Sequence, residues 1–156
     1  AGLASAGLHD QLLPLLKDLP DWKARAAEGT TREMAGMVMI NASRRYIDGK
    51  KKIDTVLMVS PQATAQKVNW QERTTETEKT RLTAGRIDGF LMQSLFHKKA
   101  DKGSMTVYLG EGNAAAGAVF TISYAGMSED EAMRIAKSFD WKKMRKTTNS
   151  MLRLGK

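Results

Sequence analysis

The 156-residue sequence predicts an α+β fold in which N-terminal and C-terminal helices cover a mainly antiparallel sheet of five or six strands. Two patterns predict this fold. Short runs rich in β-branched and aromatic residues follow one another with turn residues between them, as in strands that pair antiparallel in series. Apolar residues at helical spacing lie towards both ends of the chain. We expect a hairpin, a crossover and a meander within a single domain that spans residues 1–156.

The chain opens with a segment of small residues, 1–7, which we expect to be flexible. Leucines between residues 8 and 19 form an apolar face and predict an opening helix, which Pro14 and Pro20 should kink and then end. The polar segment 23–32 contains a glycine and paired threonines, and it is predicted to be a loop.

A β-hairpin is predicted next. Strands 34–47 and 52–60 are rich in β-branched and apolar residues, and Asp48-Gly49 between them is a strong turn signal. Ser60-Pro61 combines an N-cap residue with a proline at the first helical position. A crossover helix or ordered loop should therefore run from there towards Trp70.

The second half of the sheet is predicted to be a meander. Segment 74–83 alternates threonine with charged residues, which indicates a strand that is exposed on one face or lies at a sheet edge. Strands 86–97 and 104–109 should form a hairpin around a lysine-rich turn. Gly110-Glu111-Gly112-Asn113 should then turn the chain into strand 116–124.

A helix with a clear start is predicted after the meander. Ser128 and Glu131 form a capping box, in which the Ser hydroxyl and the Glu carboxylate bind opposite backbone N–H groups. Behind it, an apolar stripe that ends at Phe139 should lie across the sheet.

The basic C-terminal tail, residues 142–156, carries the strongest charge signal. The 16 residues from Trp141 include six basic side chains and no acidic one, which leaves only +2 of the net charge of +8 to the rest of the chain. Trp141, Met144, Thr148 and Met151 recur at helical spacing. A basic amphipathic helix can dock on an anionic membrane or an acidic partner, and it can equally pack on the core while its lysines are solvated. The predicted partner-binding residues are Trp141, Lys142, Lys143, Arg145 and Lys146.

Composition bounds the classes of protein that the chain can belong to. The absence of cysteine excludes disulfides, thiolate metal sites and a cysteine nucleophile. The longest apolar stretches are too short to span a bilayer. The start on small residues without Met is typical of a chain after signal-peptide removal, so we expect a periplasmic or extracellular location. Nucleic acid is disfavoured as a partner, because the aromatic residues are not interleaved with basic ones.

Candidate catalytic residues are few. His9 lies in the opening helix, and His97 ends a strand beside two lysines. Glu72, Glu76 and Glu78 stand among Thr, Arg and Lys on a polar strand, where solvation explains them. The glycine-rich turn after the second hairpin lacks both the Lys-Ser/Thr pair and the helix of a phosphate-binding loop. We predict no catalytic residue, no cofactor and no enzymatic activity.

Methionines suggest one metal chemistry. Met34, Met37 and Met39 form an M-x-x-M-x-M array, and soft thioethers can hold Cu(I). Met37 and Met39 should lie on the same face of a strand. The alternative is that these methionines fill irregular space in the core. Because no histidine or second methionine cluster is near, copper binding is a minor alternative and we predict no metal site.

Four short motifs carry a resemblance to a known family. They are Leu19-Pro20-Asp21-Trp22, Ile87-Asp88-Gly89-Phe90, Gly126-Met127-Ser128-Glu129-Asp130-Glu131-Ala132 and Phe139-Asp140-Trp141. Together they resemble a family of small exported bacterial proteins of uncharacterised function, from about residue 12 to residue 141. The motifs are structural, so the resemblance implies no catalytic residue. More remotely, the order of elements is similar to PsbP/Mog1-like and lipoprotein-carrier-like domains.

These observations favour a non-enzymatic periplasmic binding or accessory domain that contacts a protein, an envelope component or a hydrophobic ligand. The alternative is a structural subunit of a larger assembly or filament, in which edge strands such as 74–83 contact other copies. An enzyme that acts through His97 is the third alternative.

Overall fold

The computed structural model describes residues 7–60, 71–110 and 117–154. These residues form nine strands: β1 (Lys23–Ala24), β2 (Glu28–Met34), β3 (Met37–Asp48), β4 (Lys51–Val59), β5 (Arg73–Glu76), β6 (Thr80–Ile87), β7 (Phe90–His97), β8 (Lys102–Tyr108) and β9 (Ala118–Ala125). Two helices follow the strands, α1 (Glu129–Ser138) and α2 (Trp141–Leu154), and two 3-10 turns precede them, Leu8–Gln11 and Leu13–Leu15. The α+β class is confirmed, whereas the expected five or six strands are too few.

All nine strands belong to one antiparallel sheet in the order β1-β3-β4-β9-β8-β7-β6-β5, and β2 pairs with β3 as well. The hairpin β3–β4 and the meander β6–β9 are confirmed, and they join where β4 pairs with β9. The predicted crossover after Ser60 falls on residues 61–70, which lie outside the described residues. The same holds for residues 1–6 of the predicted flexible start and for residues 111–113 of the predicted glycine-rich turn.

Two-residue turns divide two segments that we predicted as single strands. Ala35-Gly36 separates β2 from β3 within segment 34–47, and Asp88-Gly89 separates β6 from β7 within segment 86–97. The φ angles are 53° and 78° in the first turn and 53° and 86° in the second. Positive φ at both positions is the requirement of the tightest hairpin loops. Such a loop is too short to interrupt the apolar pattern around it. The pattern alone therefore predicted one strand where the structure has two.

The prediction of a loop over residues 23–32 is wrong, because β1 and most of β2 lie there. Both strands pair with β3, from Lys23 opposite Ile47 to Met34 opposite Met37. Segment 74–83 is likewise not one strand but β5, a turn and the start of β6. Edge strands of this kind are held by backbone hydrogen bonds to one neighbour and need no apolar face. The periodicity that predicts strands is therefore missing from them.

The N-terminal segment packs on the core without forming the predicted α-helix. It forms the two 3-10 turns instead, and Pro14 is the second residue of the second turn. Proline has no N–H to donate to the carbonyl four residues earlier, and its ring clashes with that carbonyl, which explains why no regular α-helix passes this point. Leu12, Leu15, Leu16 and Leu19 are nevertheless buried in the core, as their spacing predicted. The two α-helices are both C-terminal.

The core lies on one face of the sheet, here called the covered face. Every second residue of β4 from Ile53 to Val59 is buried. α1 and α2 cover this face, and Phe139 between them contacts the rings of Tyr46 and Phe120, with ring centres 6.1 and 5.1 Å apart. Side chains on the opposite face, the open face, are mostly half-buried.

The first turn of α1 is tied both to its own backbone and to the sheet. Ser128 is the N-cap, and its Oγ accepts a hydrogen bond from the N–H of Glu131 at 3.2 Å, as predicted. The other half of the predicted capping box does not form: the Glu131 carboxylate accepts a hydrogen bond from Lys51 Nζ at 2.6 Å, not from the N–H of Ser128, and so joins the helix to β4. Ser94 on β7 donates to the carboxylate of Glu129 at 2.8 Å. Side chains of β4 and β7 therefore both bind the first turn of α1.

We expect Ser128→Ala to lower the free energy of unfolding by about 0.5–2 kcal/mol, because the N–H of Glu131 loses its acceptor. Chemical denaturation followed by far-UV circular dichroism measures the change. Ser150→Ala on the exposed side of α2 is the matched control and should stay within about 0.5 kcal/mol of the wild type. Equal midpoints for Ser128→Ala and the wild type would contradict the capping role.

Candidate functional site

α2 has two opposite sides. Its apolar side, as the spacing predicted, is formed by Trp141, Met144, Thr148 and Met151, all of which are buried. Lys142, Lys143 and Lys146 are exposed. With 3.6 residues per turn, these three lysines project from the side of the helix opposite to the buried stripe. The packing of α2 on the covered face therefore turns the lysines away from the sheet.

Trp141 fastens the joint between the two helices. Its indole Nε1 donates a hydrogen bond to the carbonyl of Ala136 at 2.8 Å, and its ring contacts Phe90 edge-on with ring centres 5.6 Å apart. Asp140 Oδ1 accepts a hydrogen bond from the N–H of Lys143 at 3.0 Å and caps the start of α2. The short connection between α1 and α2 thus has a defined geometry, and Trp141 is part of the core.

Arg145 differs from the lysines around it. Its guanidinium lies over the ring of Phe90, 3.9 Å from the ring centre, and its Nε donates to the carbonyl of Leu109 at 2.8 Å. The predicted partner-binding set therefore divides into two groups. Lys142, Lys143 and Lys146 face solvent, whereas Trp141 and Arg145 hold α2 to the sheet.

Two further exposed lysines, Lys17 and Lys137, lie close to the start of α2. A cleft of about 660 Å³ at the helix joint is lined by Lys17, Lys137 and Lys142, together with two aspartates. A second cleft of about 720 Å³ lies along α2 and is lined by Lys142, Lys143 and Lys146 with the hydroxyl-bearing Thr147 and Ser150. We call the set Lys17, Lys137, Lys142, Lys143 and Lys146 the lysine surface. Within the described residues, none of these ammonium groups has a carboxylate in ion-pair distance.

His9 has a structural environment. Its Nδ1 lies 2.8 Å from Thr31 Oγ1, and its ring lies so close to Gly29 that a Cβ added there would be 2.5 Å away. Nε2 lies 3.5 Å from the carboxylate of Asp10. The Thr31 hydroxyl, the His9 imidazole and the Asp10 carboxylate thus form a series of polar contacts. The side chain of Asp10 is 70% exposed, however, and cannot orient the ring as a buried acid would. His9 fastens the first 3-10 turn to β2.

The other acid and base candidates lie far from the lysine surface. His97 ends β7 opposite Thr80 and Lys102 on the open face. Glu76 accepts a hydrogen bond from Lys98 Nζ at 2.7 Å, and this contact lowers the pKa of its carboxyl. Glu72 and Glu78 are exposed. His97, Glu76 and Glu78 lie at one end of the sheet, near the turn between β5 and β6, whereas Glu72 precedes the other end of β5.

The methionine array lies at the tip of the β2–β3 hairpin. Met34 is paired with Met37 across the two-residue turn, and Met37 and Met39 share one face of β3, as predicted. The side chains of Met37 and Met39 are 60% and 42% exposed, so neither fills the core. In the part of the chain that the structure describes, no cluster of three or more His, Asp or Glu could hold a metal ion.

One polar cluster was missed by the sequence reasoning. Glu129, which accepts the hydrogen bond from buried Ser94, also lies 3.4 Å from Arg81 Nη1. Burial, with a smaller contribution from Glu129, raises the pKa of Tyr124, so its phenol stays neutral. The Tyr124 hydroxyl has no hydrogen-bond partner among the described residues. Arg81, Ser94 and Glu129 are far apart in the sequence, and no local signal predicts their contact.

Comparisons with known proteins supply no relative: no family model, no curated protein and no solved structure matches the chain. Within the described residues, neither helix is long and apolar enough to cross a membrane.

We expect Arg145→Gln to lower the free energy of unfolding by about 1–3 kcal/mol, because it removes the contact with Phe90 and the charged donor to the Leu109 carbonyl. Lys146→Gln removes the same charge one residue further along and should stay within about 0.5 kcal/mol of the wild type. Thermal and chemical denaturation measure both. Equal stability of the two variants would contradict the division of the basic residues into two groups.

Proposed function

We propose that the protein is a non-enzymatic binding or accessory domain that docks on an anionic envelope surface through its lysine surface. The proposal rests on one observation: Lys142, Lys143 and Lys146 are exposed together on the side of α2 that faces away from the sheet. We also propose a periplasmic or extracellular location, which suits a chain without cysteine.

The position of these lysines is unfavourable for α2 itself. Lys142 and Lys143 lie in the first helical turn, where the helix dipole disfavours each cation by about 0.3–1 kcal/mol. Lys146 follows them by four and three residues, spacings at which like charges repel by about 0.2–0.5 kcal/mol. The stability of α2 therefore does not explain why three lysines occupy these positions. An anionic partner would relieve all of these repulsions at once.

The shape of the lysine surface suits head groups better than an apolar ligand. The cleft at the helix joint reaches the aromatic rings of Phe90, Phe139 and Trp141, but these rings are buried beneath a charged rim. An apolar ligand needs an enclosed and mainly apolar cavity. The cleft along α2 offers ammonium and hydroxyl groups, which are the donors that phosphate and carboxylate oxygens accept from.

We expect the triple variant Lys142→Gln, Lys143→Gln, Lys146→Gln to bind vesicles of phosphatidylglycerol and phosphatidylcholine about a hundredfold more weakly than the wild type. Each lysine near an anionic bilayer contributes about 1 kcal/mol, and about 1.4 kcal/mol is a factor of ten in affinity. Vesicle sedimentation measures the binding. Salt should weaken wild-type binding steeply, because charges are screened over about 8 Å at physiological ionic strength.

The matched control removes the same charge elsewhere. Lys50, Lys52 and Lys102 are exposed at the other end of the sheet, and their replacement by Gln should leave most of the binding intact. Vesicles of phosphatidylcholine alone should not bind the wild type. The proposal is wrong if the α2 triple variant binds as the wild type does, or if the control triple variant loses as much affinity.

A further inference from the structure

One edge of the sheet carries a charge pattern that the lysine surface does not explain. β2 pairs with β3 on one side, and no other described strand pairs with it. Its seven residues, Glu28–Met34, therefore present a free edge of backbone groups in the part of the chain that the structure describes. An edge of this length is a template for another strand.

The turn between β2 and β3 determines which backbone groups face outwards. In a hairpin with a two-residue loop, the residues that flank the loop, Met34 and Met37, exchange hydrogen bonds with each other. Bonded pairs then recur at every second residue of β2. The even-numbered residues of β2 bond to β3, and the N–H and C=O groups of Gly29, Thr31 and Glu33 face the free edge.

This alternation restricts how a second β2 strand can pair. Outward-facing groups must meet, so odd-numbered residues of one copy lie opposite odd-numbered residues of the other. In the register that places Thr30 opposite Thr30, Gly29 pairs with Thr31 in both directions. The same register places Glu28 opposite Arg32 twice, once on each side of the two-fold axis. Shifting the strands by two residues in either direction loses both charge pairs.

Glu28 and Arg32 are available for this contact. Both are exposed, and their neighbours across β3, Ser43 and Met39, are uncharged. Within the described residues, neither has an ion-pair partner. The two residues are about 13 Å apart along one strand, at about 3.3 Å per residue, and so cannot pair with each other.

We propose that two copies of this chain associate edge to edge through β2, antiparallel and in the register that pairs Glu28 of each copy with Arg32 of the other. The interface is isologous, so it closes as a dimer. The two sheets become one continuous antiparallel sheet with the two β2 strands at its centre.

The opposite edge of the sheet does not offer the same pairing. Directly after β5, the N–H of Thr77 donates to the carbonyl of Thr80 at 2.9 Å, so Thr74 and Glu76 are the residues of β5 whose backbone groups face outwards. Self-pairing that matched Arg73 with Glu76 would bring outward-facing groups against inward-facing ones. Glu76 is also already paired with Lys98 and Arg81. β5 therefore cannot pair with itself in the register that would join Arg73 of each copy to Glu76 of the other.

The dimer would place both lysine surfaces on the same side. Residues directly opposite each other in an antiparallel pair point to the same face of the sheet. The covered faces of the two copies, with α1 and α2 on them, consequently lie side by side. The dimer does not rest on the proposed docking function, but it would strengthen that function through two linked contacts.

Charge reversal tests the dimer in the absence of vesicles. Sedimentation equilibrium should show a wild-type monomer–dimer equilibrium, and E28R or R32E alone should raise its dissociation constant at least about tenfold, because like charges then meet twice. An equimolar mixture of E28R and R32E should dimerise again, since each supplies the charges that the other needs. R73E on β5 is the control and should dimerise as the wild type does.

A single-cysteine series tests the register, because the chain contains no cysteine of its own. T30C should form a disulfide-linked dimer under mild oxidation, since residue 30 lies opposite itself in a non-hydrogen-bonded pair with Cα atoms about 4.5 Å apart, within the range that a disulfide spans. E28C, on the same strand and face, and T74C, on β5, should remain monomeric. Non-reducing electrophoresis reads the result, and circular dichroism confirms that each variant is folded.

Three outcomes would overturn the proposal. The first is a wild-type chain that stays monomeric up to about 1 mM. The second is a dimer that E28R and R32E leave unchanged, or that their mixture fails to restore. The third is disulfide formation by E28C or T74C as fast as by T30C. Recovery by the mixture together with rapid linkage of T30C alone would support it.

Discussion

The pairing of β4 with β9 is the contact on which the rest of the structure depends. β1 to β4 lie before residue 60 and β5 to β9 after residue 72, and this pair joins the two groups of strands into one sheet. Leu57 lies opposite Phe120 and Ile53 opposite Tyr124, and all four are buried on the covered face. Each such side chain contributes about 1.5–3 kcal/mol by leaving water. Without this contact, the sheet would separate into β1 to β4 and β5 to β9, and the covered face would be divided between them.

The covered face in turn determines what α2 presents to solvent. The helix follows β9 after α1, and the burial of its apolar stripe sets its rotation about its own axis. That rotation separates neighbouring cations: Arg145 reaches the ring of Phe90, while Lys146 points to solvent. A basic segment thus contributes both to the stability of the fold and to a charged surface. The number of positive charges alone does not distinguish these roles.

The two edges of the sheet differ in how their charged residues are paired. At the β5 edge, Glu76 is neutralised by Lys98 and Arg81, and the strand has four residues. At the β2 edge, Glu28 and Arg32 have uncharged neighbours across β3. Proteins commonly protect a free edge with charges, and a charge pattern that matches itself after a two-fold rotation can also select a partner. The same residues can thus keep foreign strands away and accept a second copy.

The sequence by itself determined the α+β class, the β3–β4 hairpin, the meander, the capped start of α1 and the two-sided character of α2, because each depends on residues close together in the chain. It did not determine the nine strands, since β1 and β2 have no apolar pattern and are strands because β3 supplies hydrogen-bond partners. Nor did it separate Arg145 from Lys146, because Phe90 and Leu109 are distant in sequence. Only the tertiary structure decided these points, by bringing together groups whose contact no local pattern records.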